Sequence, residues 1–184
     1  MNQEEQIIYW SDRILLHLLE LKRSKYPELT FWLRSMNNQG RLDKGYWFQG
    51  SYYISIGLVQ KNDTEARLKQ VGLVFNFQDE TPTAYVELSF RNETDGAFFD
   101  CYQEIMKRIG GFKQRGNLVS YHKFLTGENF IEVIDLFFEK EWVIFLDAFN
   151  KYGLLKELLI PEEDFKNSLD RTLKVRSELK KIIN

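Results

Sequence analysis

The first segment of the chain has apolar residues at helical spacing. From Ile7 to Leu21 they recur every three to four positions, and Pro27 follows shortly afterwards. This spacing predicts an amphipathic helix over residues 3–25 that ends before the proline. The apolar face of that helix should pack against the rest of the molecule.

The middle of the chain consists of short segments rich in β-branched and aromatic residues, separated by polar turns. Such segments predict strands. Consecutive strands with short connections favour antiparallel pairing, and hence the α+β class over doubly wound α/β. We expect a mixed, largely antiparallel sheet of five to six strands, packed by N-terminal and C-terminal helices. The predicted strands are residues 29–34, 46–60, 70–77, 83–91 and 117–125.

Three further segments have the helical period, residues 95–110, 128–153 and 161–184. Glycines close the first two, at Gly110 and Gly153, and Pro161 opens the third. We assign residues 1–160 to a single α+β domain. Residues 161–184 form a C-terminal helix without a terminator, which we expect to lead into a further domain.

Composition argues for a folded domain and against several classes of function. Hydrophobic residues make up 43% of the chain, which is enough for a core and argues against disorder. The net charge of −2 argues against a wholly basic nucleic-acid binder. Cys101 is the only cysteine, so no internal disulfide can form. The N-terminus lacks signal-peptide features and no apolar run reaches the roughly 18 residues of a membrane helix, so we expect a cytoplasmic protein with no membrane association.

The charge is distributed unevenly along the chain. Residues 105–123 contain five basic residues and no acid, whereas residues 128–164 contain ten acids and three bases. Such an asymmetry predicts a positive field on one face even though the total charge is near zero. The alternative is ordinary solvated surface charge.

The sequence contains no recognisable catalytic motif. Neither the P-loop nor the dinucleotide-binding glycine pattern occurs. His17, His122 and Cys101 do not have zinc-ligand spacing, and nothing marks a Cys–His catalytic pair. Glu87 lies on a predicted strand, but Ser89 stands where a metal-dependent nuclease would need lysine. We therefore predict no catalytic residue, metal site or cofactor, with any catalysis in a fused or partner subunit.

Residues 40–58 combine five large aromatic residues with Arg41 and Lys44. Strand alternation would place Trp47 and Phe48 on opposite faces, so one of them could be exposed. Aromatic rings beside basic residues can hold an unstacked base, and each stack contributes about 1–3 kcal/mol. The alternative is that these rings fill the core.

Four segments, LTFWLR, RLDKGYWFQGSYYISIGL, VGLVFNF and AYVELSF, together resemble the N-terminal segment that precedes the motor domain in McrB-like restriction GTPases. The resemblance covers roughly residues 5–125. It implies a domain that recognises DNA, in some members by flipping a methylated cytosine into an aromatic-lined pocket. The GTPase motor and a separate nuclease subunit lie elsewhere in that family. By position Trp47 corresponds to a pocket residue, whereas Tyr46 stands where the family has a proline.

Two functions follow as alternatives. The first is a non-catalytic DNA-recognition domain of a restriction or phage-defence system that reads a modified base through an aromatic pocket. Its partners would be double-stranded DNA, methylated or not, and a motor and nuclease subunit. The second is a protein–protein adaptor or regulatory domain without nucleic-acid binding, favoured by the low net charge and the apolar helix of residues 128–152. For the first, the predicted base-pocket residues are Tyr46, Trp47, Phe48 and Tyr53, and the predicted DNA-backbone contacts are Arg41, Lys44, Lys107, Lys113 and Arg115.

Overall fold

The computed structural model describes residues 3–33, 52–59, 69–79, 81–90, 96–115 and 120–183. The helices are α1 (Gln3–Ser24), α2 (Gly96–Ile109), α3 (Phe130–Phe137), α4 (Val143–Lys151), α5 (Leu155–Leu158), α6 (Glu162–Val175) and α7 (Ser177–Ile183), with a π turn over Phe138–Trp142 between α3 and α4. The strands are β1 (Trp32–Leu33), β2 (Tyr53–Gly57), β3 (Lys69–Asn76), β4 (Thr83–Phe90), β5 (Lys113–Gln114) and β6 (Ser120–Leu125).

The six described strands form one antiparallel sheet in the order β1-β2-β3-β4-β6-β5. Its longest pairing is the β3–β4 hairpin, in register from Lys69 opposite Phe90 to Asn76 opposite Thr83. The short connection over residues 77–82 explains why β3 and β4 pair antiparallel. The structure confirms the α+β class and the largely antiparallel sheet of five to six strands.

One face of the sheet, here called the helical side, is apolar and covered by helices. The alternate residues of its central strands have no solvent exposure, and they include Ile54, Ile56, Leu73, Phe75, Val86 and Leu88. Helix α1 contacts β2, and Phe130 of α3 packs edge-on against Phe75 with ring centroids 5.0 Å apart. The helices predicted over residues 3–25 and 128–152 therefore cover the apolar side, as expected.

The helix predicted over residues 128–153 contains an irregular turn. Asn129 caps its start, because its side-chain oxygen accepts hydrogen bonds from the backbone N–H groups of Ile131 and Glu132. The π turn over Phe138–Trp142 then separates α3 from α4. Gly153, at φ 69°, ends the run, since this left-handed conformation favours glycine.

The C-terminal segment forms two helices rather than the single helix predicted over residues 161–184. Helix α6 lies beside the edge strand β1, where the Ser168 hydroxyl accepts a hydrogen bond from the Leu33 N–H at 3.2 Å. This contact with α6 shields the free edge of β1 from pairing with another strand. The helix ends at Arg176, whose guanidinium forms two hydrogen bonds with Asp12 of α1, and α7 begins at the next residue. Within the described ranges, no helix has both the length and the apolar character needed to cross a bilayer.

Candidate nucleic-acid interface

The sheet has a second face, opposite the helical side, with a different composition. Residues that alternate with the buried apolar positions point to it. In the β4–β6 register Tyr85 lies opposite Phe124, and Glu87 lies opposite His122. Lys113 of β5 lies opposite His122 on its other side, which extends the same face to the sheet edge. The face therefore carries aromatic and charged side chains on three adjacent strands.

Three rings on this face contact one another in a row. Tyr85 stacks on His122 with ring centroids 4.5 Å apart and an angle of 19° between the planes. Tyr85 also meets Phe124 edge-on, with centroids 5.8 Å apart and an angle of 64°. The guanidinium carbon of Arg115 lies 5.3 Å from the Phe124 ring centroid, within the range of a cation–π contact.

His122 is held by two polar neighbours. Its Nε2 lies 3.0 Å from a carboxylate oxygen of Glu87 and 3.2 Å from the hydroxyl of Ser120. A Ser–His–acid catalytic triad needs the serine on one ring nitrogen and the acid on the other. Here both partners contact the same nitrogen, so the arrangement fixes the orientation of the imidazole and does not form a triad.

The phenol of Tyr85 has a raised pKa. Burial raises the pKa of its phenol to about 12, with further contributions from the negative charge of Glu87 and from Tyr53, while Arg115 lowers it. The phenol is therefore neutral at physiological pH and can donate a hydrogen bond. These interactions also place Tyr53 and Arg115 in the same electrostatic environment as the ring row.

Solvent exposure divides the second face into two parts. Towards β2 and β3, Ser55 and Val74 are only 2% and 4% exposed. Towards β6 and β5, Phe124 is 49% exposed, and Lys113 and Arg115 are exposed. The accessible part is here called the aromatic–basic surface, and it consists of Tyr85, Glu87, Lys113, Arg115, His122 and Phe124.

The structure places the described site residues predicted from the sequence in two locations. Lys113 and Arg115 belong to the aromatic–basic surface, and the half-buried Tyr53 lies beside it on β2. Lys107 is exposed on α2, in the helical layer on the other side of the sheet. The remaining predicted residues, Tyr46, Trp47, Phe48, Arg41 and Lys44, lie outside the described residues.

The five basic residues of segment 105–123 do not all lie on one face. Arg108 pairs with Asp147 of α4 at 2.6 Å, and Lys123 points to the helical side, where it pairs with Glu141 of the π turn. Only Lys113 and Arg115 of the five basic residues lie on the second face. Strand alternation and the position of α2 place the basic residues of 105–123 on both sides of the sheet. A count of charges along the sequence does not show this division.

Tyr85, Glu87, His122 and Phe124 were not predicted as site residues. The alternation of side chains along the strands could have identified them. In SYHKFL, His122 and Phe124 point to one face, and the residues that alternate with them point to the helices. The segment AYVELSF separates Tyr85 and Glu87 in the same way. Polar and aromatic residues alternating with apolar ones mark a strand with one face outside the core.

Other reactive groups in the described structure have structural partners. His17 of α1 lies 2.8 Å from Asp135 of α3, which joins two helices. Burial raises the pKa of the Cys101 thiol to about 12, so the thiol is protonated and unreactive at neutral pH. No cluster of three or more histidine, cysteine or acidic residues suited to a metal ion occurs among the described residues.

An open cleft of about 460 Å³ lies between β1 and α6. Its lining residues are Trp32, Asp164, Asn167, Asp170, Arg171 and Lys174. Two acids and two bases give this cleft no dominant charge, so it selects for neither anions nor cations. The aromatic–basic surface is therefore the stronger candidate for a binding site.

The chain matches no protein-family model, no curated protein and no solved structure. The resemblance to McrB-like N-terminal domains accordingly stays a prediction from the sequence.

Proposed function

We propose that this chain is a DNA-recognition domain without a catalytic centre of its own, and that it contacts DNA through the aromatic–basic surface. One observation carries the proposal: the exposed Phe124 ring lies beneath the Arg115 guanidinium and beside the Tyr85–His122 stack. Aromatic rings that offer a π-face beside cationic side chains are the usual means by which proteins hold nucleic-acid bases and phosphates.

The basic residues of this surface are available to phosphates. Within the described part of the chain, no carboxylate forms an ion pair with Lys113 or Arg115. Arg108 and Lys123, by contrast, are engaged by acids of the helical layer. An unpaired cation keeps its full charge for an incoming phosphate, and a paired one would first have to break its bond.

The proposed setting is a restriction or phage-defence system in the cytoplasm. There the domain would recognise double-stranded DNA, methylated or not, and a motor and nuclease subunit would supply the catalysis. Support comes from the sequence resemblance to McrB-like N-terminal domains. Tyr46, Trp47, Phe48 and Tyr53 are the residues proposed from the sequence for a base pocket, with Arg41 and Lys44 as further phosphate contacts.

The main feature that favoured a protein–protein adaptor has another explanation. The apolar residues of the long helix, among them Phe137, Phe138, Phe145 and Phe149, are at most 1% exposed. They form the core against the sheet, so their apolar character does not indicate a docking surface. No specific feature of the described surface favours the adaptor over DNA recognition.

The test is binding of labelled duplex DNA, methylated and unmethylated, over a range of salt concentrations. We expect affinity to fall with salt, and the Lys113→Ala/Arg115→Ala double variant to reduce the slope of log K against log salt by about 2, one for each lost phosphate contact. Arg13→Ala is the matched control, because Arg13 makes the same kind of cation–π contact, 4.9 Å from the Tyr9 ring, on α1. A parent protein that binds neither duplex nor single-stranded DNA, or a double variant with an unchanged slope, would refute the proposal.

A further inference from the structure

Resting on the proposed DNA recognition, we propose that the aromatic–basic surface binds an unpaired DNA strand in preference to a duplex. The backbone of the strand would run along β5, with its bases over β6 and β4. Its bases would stack on the exposed Phe124 and against the half-buried Tyr85, and its phosphates would lie towards Lys113 and Arg115.

The first argument concerns which part of a nucleic acid can reach the rings. Phe124 is 49% exposed on a sheet face, so it offers ring surface to a ligand. In a duplex the faces of the bases are covered by their neighbours, and only base edges and phosphates are presented to a protein. A base with a free face is available in an unpaired strand, where it can stack on an aromatic ring.

The second argument concerns the spacing and tilt of the rings. The Tyr85 and Phe124 centroids are 5.8 Å apart and their planes make an angle of 64°. Neighbouring bases in a duplex are parallel and about 3.4 Å apart along the strand. Two parallel bases at that spacing cannot each stack on one of these rings. A single strand can, because its bases turn independently.

The third argument concerns the position of charge around the rings. Glu87 bears the negative charge on this surface and lies on β4, where its carboxylate bonds His122. Lys113 and Arg115 lie on the opposite side of β6, at and just beyond β5. Phosphates are repelled by Glu87 and attracted by the two cations. The backbone of a bound strand is therefore directed along β5, with its bases over β6 and β4.

The experiment measures fluorescence anisotropy of the full chain with a labelled DNA strand of about 12 nucleotides, a length within the usual site sizes of single-strand binders. The same strand annealed to its complement is the second ligand. We expect the parent to bind the single strand at least about tenfold more tightly than the duplex. We expect Phe124→Ala to weaken single-strand binding by about 5- to 150-fold, the range of one lost stack. Phe124→Trp should keep the affinity, because it retains a ring.

The matched control is Tyr9→Ala. Tyr9 is 42% exposed and has the Arg13 guanidinium over its ring, but it lies on α1, away from the second face. Its removal should change single-strand binding by less than about twofold, well below the loss of one stack. Thermal unfolding of each variant checks that the fold is retained.

The outcomes separate this inference from the proposed function. Duplex binding equal to or tighter than single-strand binding overturns the inference and leaves DNA recognition standing. The same holds if Phe124→Ala binds the single strand as the parent does, or if Tyr9→Ala is equally harmful. If neither form of DNA binds, both proposals fail.

Discussion

The two faces of the sheet are made from the same strands, yet their side chains have different partners. On the helical side Ile54, Leu73 and Val86 are fully buried beneath helices. On the second face their neighbours along the chain include Tyr85 and Glu87, which make polar and ring–ring contacts near solvent. Because strand side chains alternate between faces, one sequence segment specifies both the core and a surface. Burial of one face therefore leaves the side chains of the other face near solvent where β4 and β6 pair.

The same contrast separates two lysines on adjacent strands. Lys123 points to the helical side and pairs with Glu141, and the side chains of this pair are 20% and 16% exposed. Lys113 points to the second face and is exposed, with no ion pair in the described part of the chain. The first lysine joins the sheet to the helical layer, whereas the second projects into solvent.

The largest expected difference between the faces is between two phenylalanines. Phe145 has no solvent exposure, and its ring centroid lies 6.0 Å from those of Phe137 and Phe149. Phe145→Ala should therefore lower the free energy of unfolding by about 3–5 kcal/mol. Phe124→Ala should lower it by less than about 1 kcal/mol, because the ring is half exposed. Denaturant unfolding of both variants provides the measurement. Equal losses would show that the second face belongs to the core.

A smaller difference is expected between the two lysines. Lys123→Met should lower the free energy of unfolding by about 3 kcal/mol, near the lower limit for a broken buried pair, because part of each side chain is still exposed. Glu141 would then have no counter-ion, and its second carboxylate oxygen is already buried without a partner among the described residues. Lys113→Met should change stability by no more than about 0.5 kcal/mol.

The double variant Lys123→Met/Glu141→Leu sharpens this prediction. If the loss in Lys123→Met arises from an uncompensated charge, replacing both partners with apolar residues should restore most of the stability. A double variant as unstable as the single one would mean that packing of the lysine stem, and not its charge, stabilises the helical side.

The helical side could be predicted from the sequence and the irregular elements could not. The spacing of apolar residues and the residues that end helices and strands predicted α1, α2 and the β3–β4 hairpin to within a residue or two. The two-residue strand β5 and the four-residue helix α5 escaped prediction, because elements of that length carry no periodicity. The break at Arg176 also depends on a distant residue, since its guanidinium is bonded to Asp12 of α1.

The candidate site was predicted only in part. Lys113 and Arg115 were singled out through local charge, and Tyr53, which lies beside the surface, was singled out through the aromatic segment. The contacts that assemble the surface join β4 to β6, and a single sequence does not report which strands are neighbours. For this reason the sheet register, and not a sequence motif, identifies Tyr85, His122 and Phe124 as residues of this surface.

A third prediction tests the environment of the second face through Tyr85, whose pKa of about 12 reflects mainly burial. The pKa of Tyr85 in the folded protein lies above its unfolded value of about 10. The contribution of Tyr85 to the free energy of unfolding is therefore complete below about pH 10 and is lost as the pH rises towards 12. Phenolate absorbance should be titrated in the parent and in Tyr85→Phe. The variant should lack the tyrosine that ionises near pH 12. Arg115→Ala should raise this pKa further, because Arg115 lowers it. A Tyr85 that ionises near pH 10 would mean that the ring is solvated and that the ring row is not packed.

The smallest effect is expected on the outer surface of the helical layer. Glu104 of α2 accepts hydrogen bonds from Lys151 and from the Tyr152 hydroxyl, the latter at 3.1 Å. The bond from Lys151 is the main reason why the pKa of Glu104 is lowered, and the same bond raises the pKa of Lys151. Both groups are near solvent, where water and salt weaken such pairs. Glu104→Gln should therefore lower the thermal midpoint only slightly.

The pH dependence identifies the cause of that small loss. A lowered folded pKa gives stability that is present above the unfolded value of about 4.3 and disappears as the pH falls through the folded one. The raised pKa of Lys151 limits the same stability at the alkaline end, where it is lost as the pH rises above about 10.5. The midpoints of the parent and Glu104→Gln should thus differ at neutral pH, converge in strong acid, and differ less at high salt. A difference that persists in acid would show that Glu104 stabilises the α2–α4 contact by packing. Among the described residues, the contrast between ion-paired cations on the helical side and cations without an ion pair on the second face would then depend on Lys123 and Arg108.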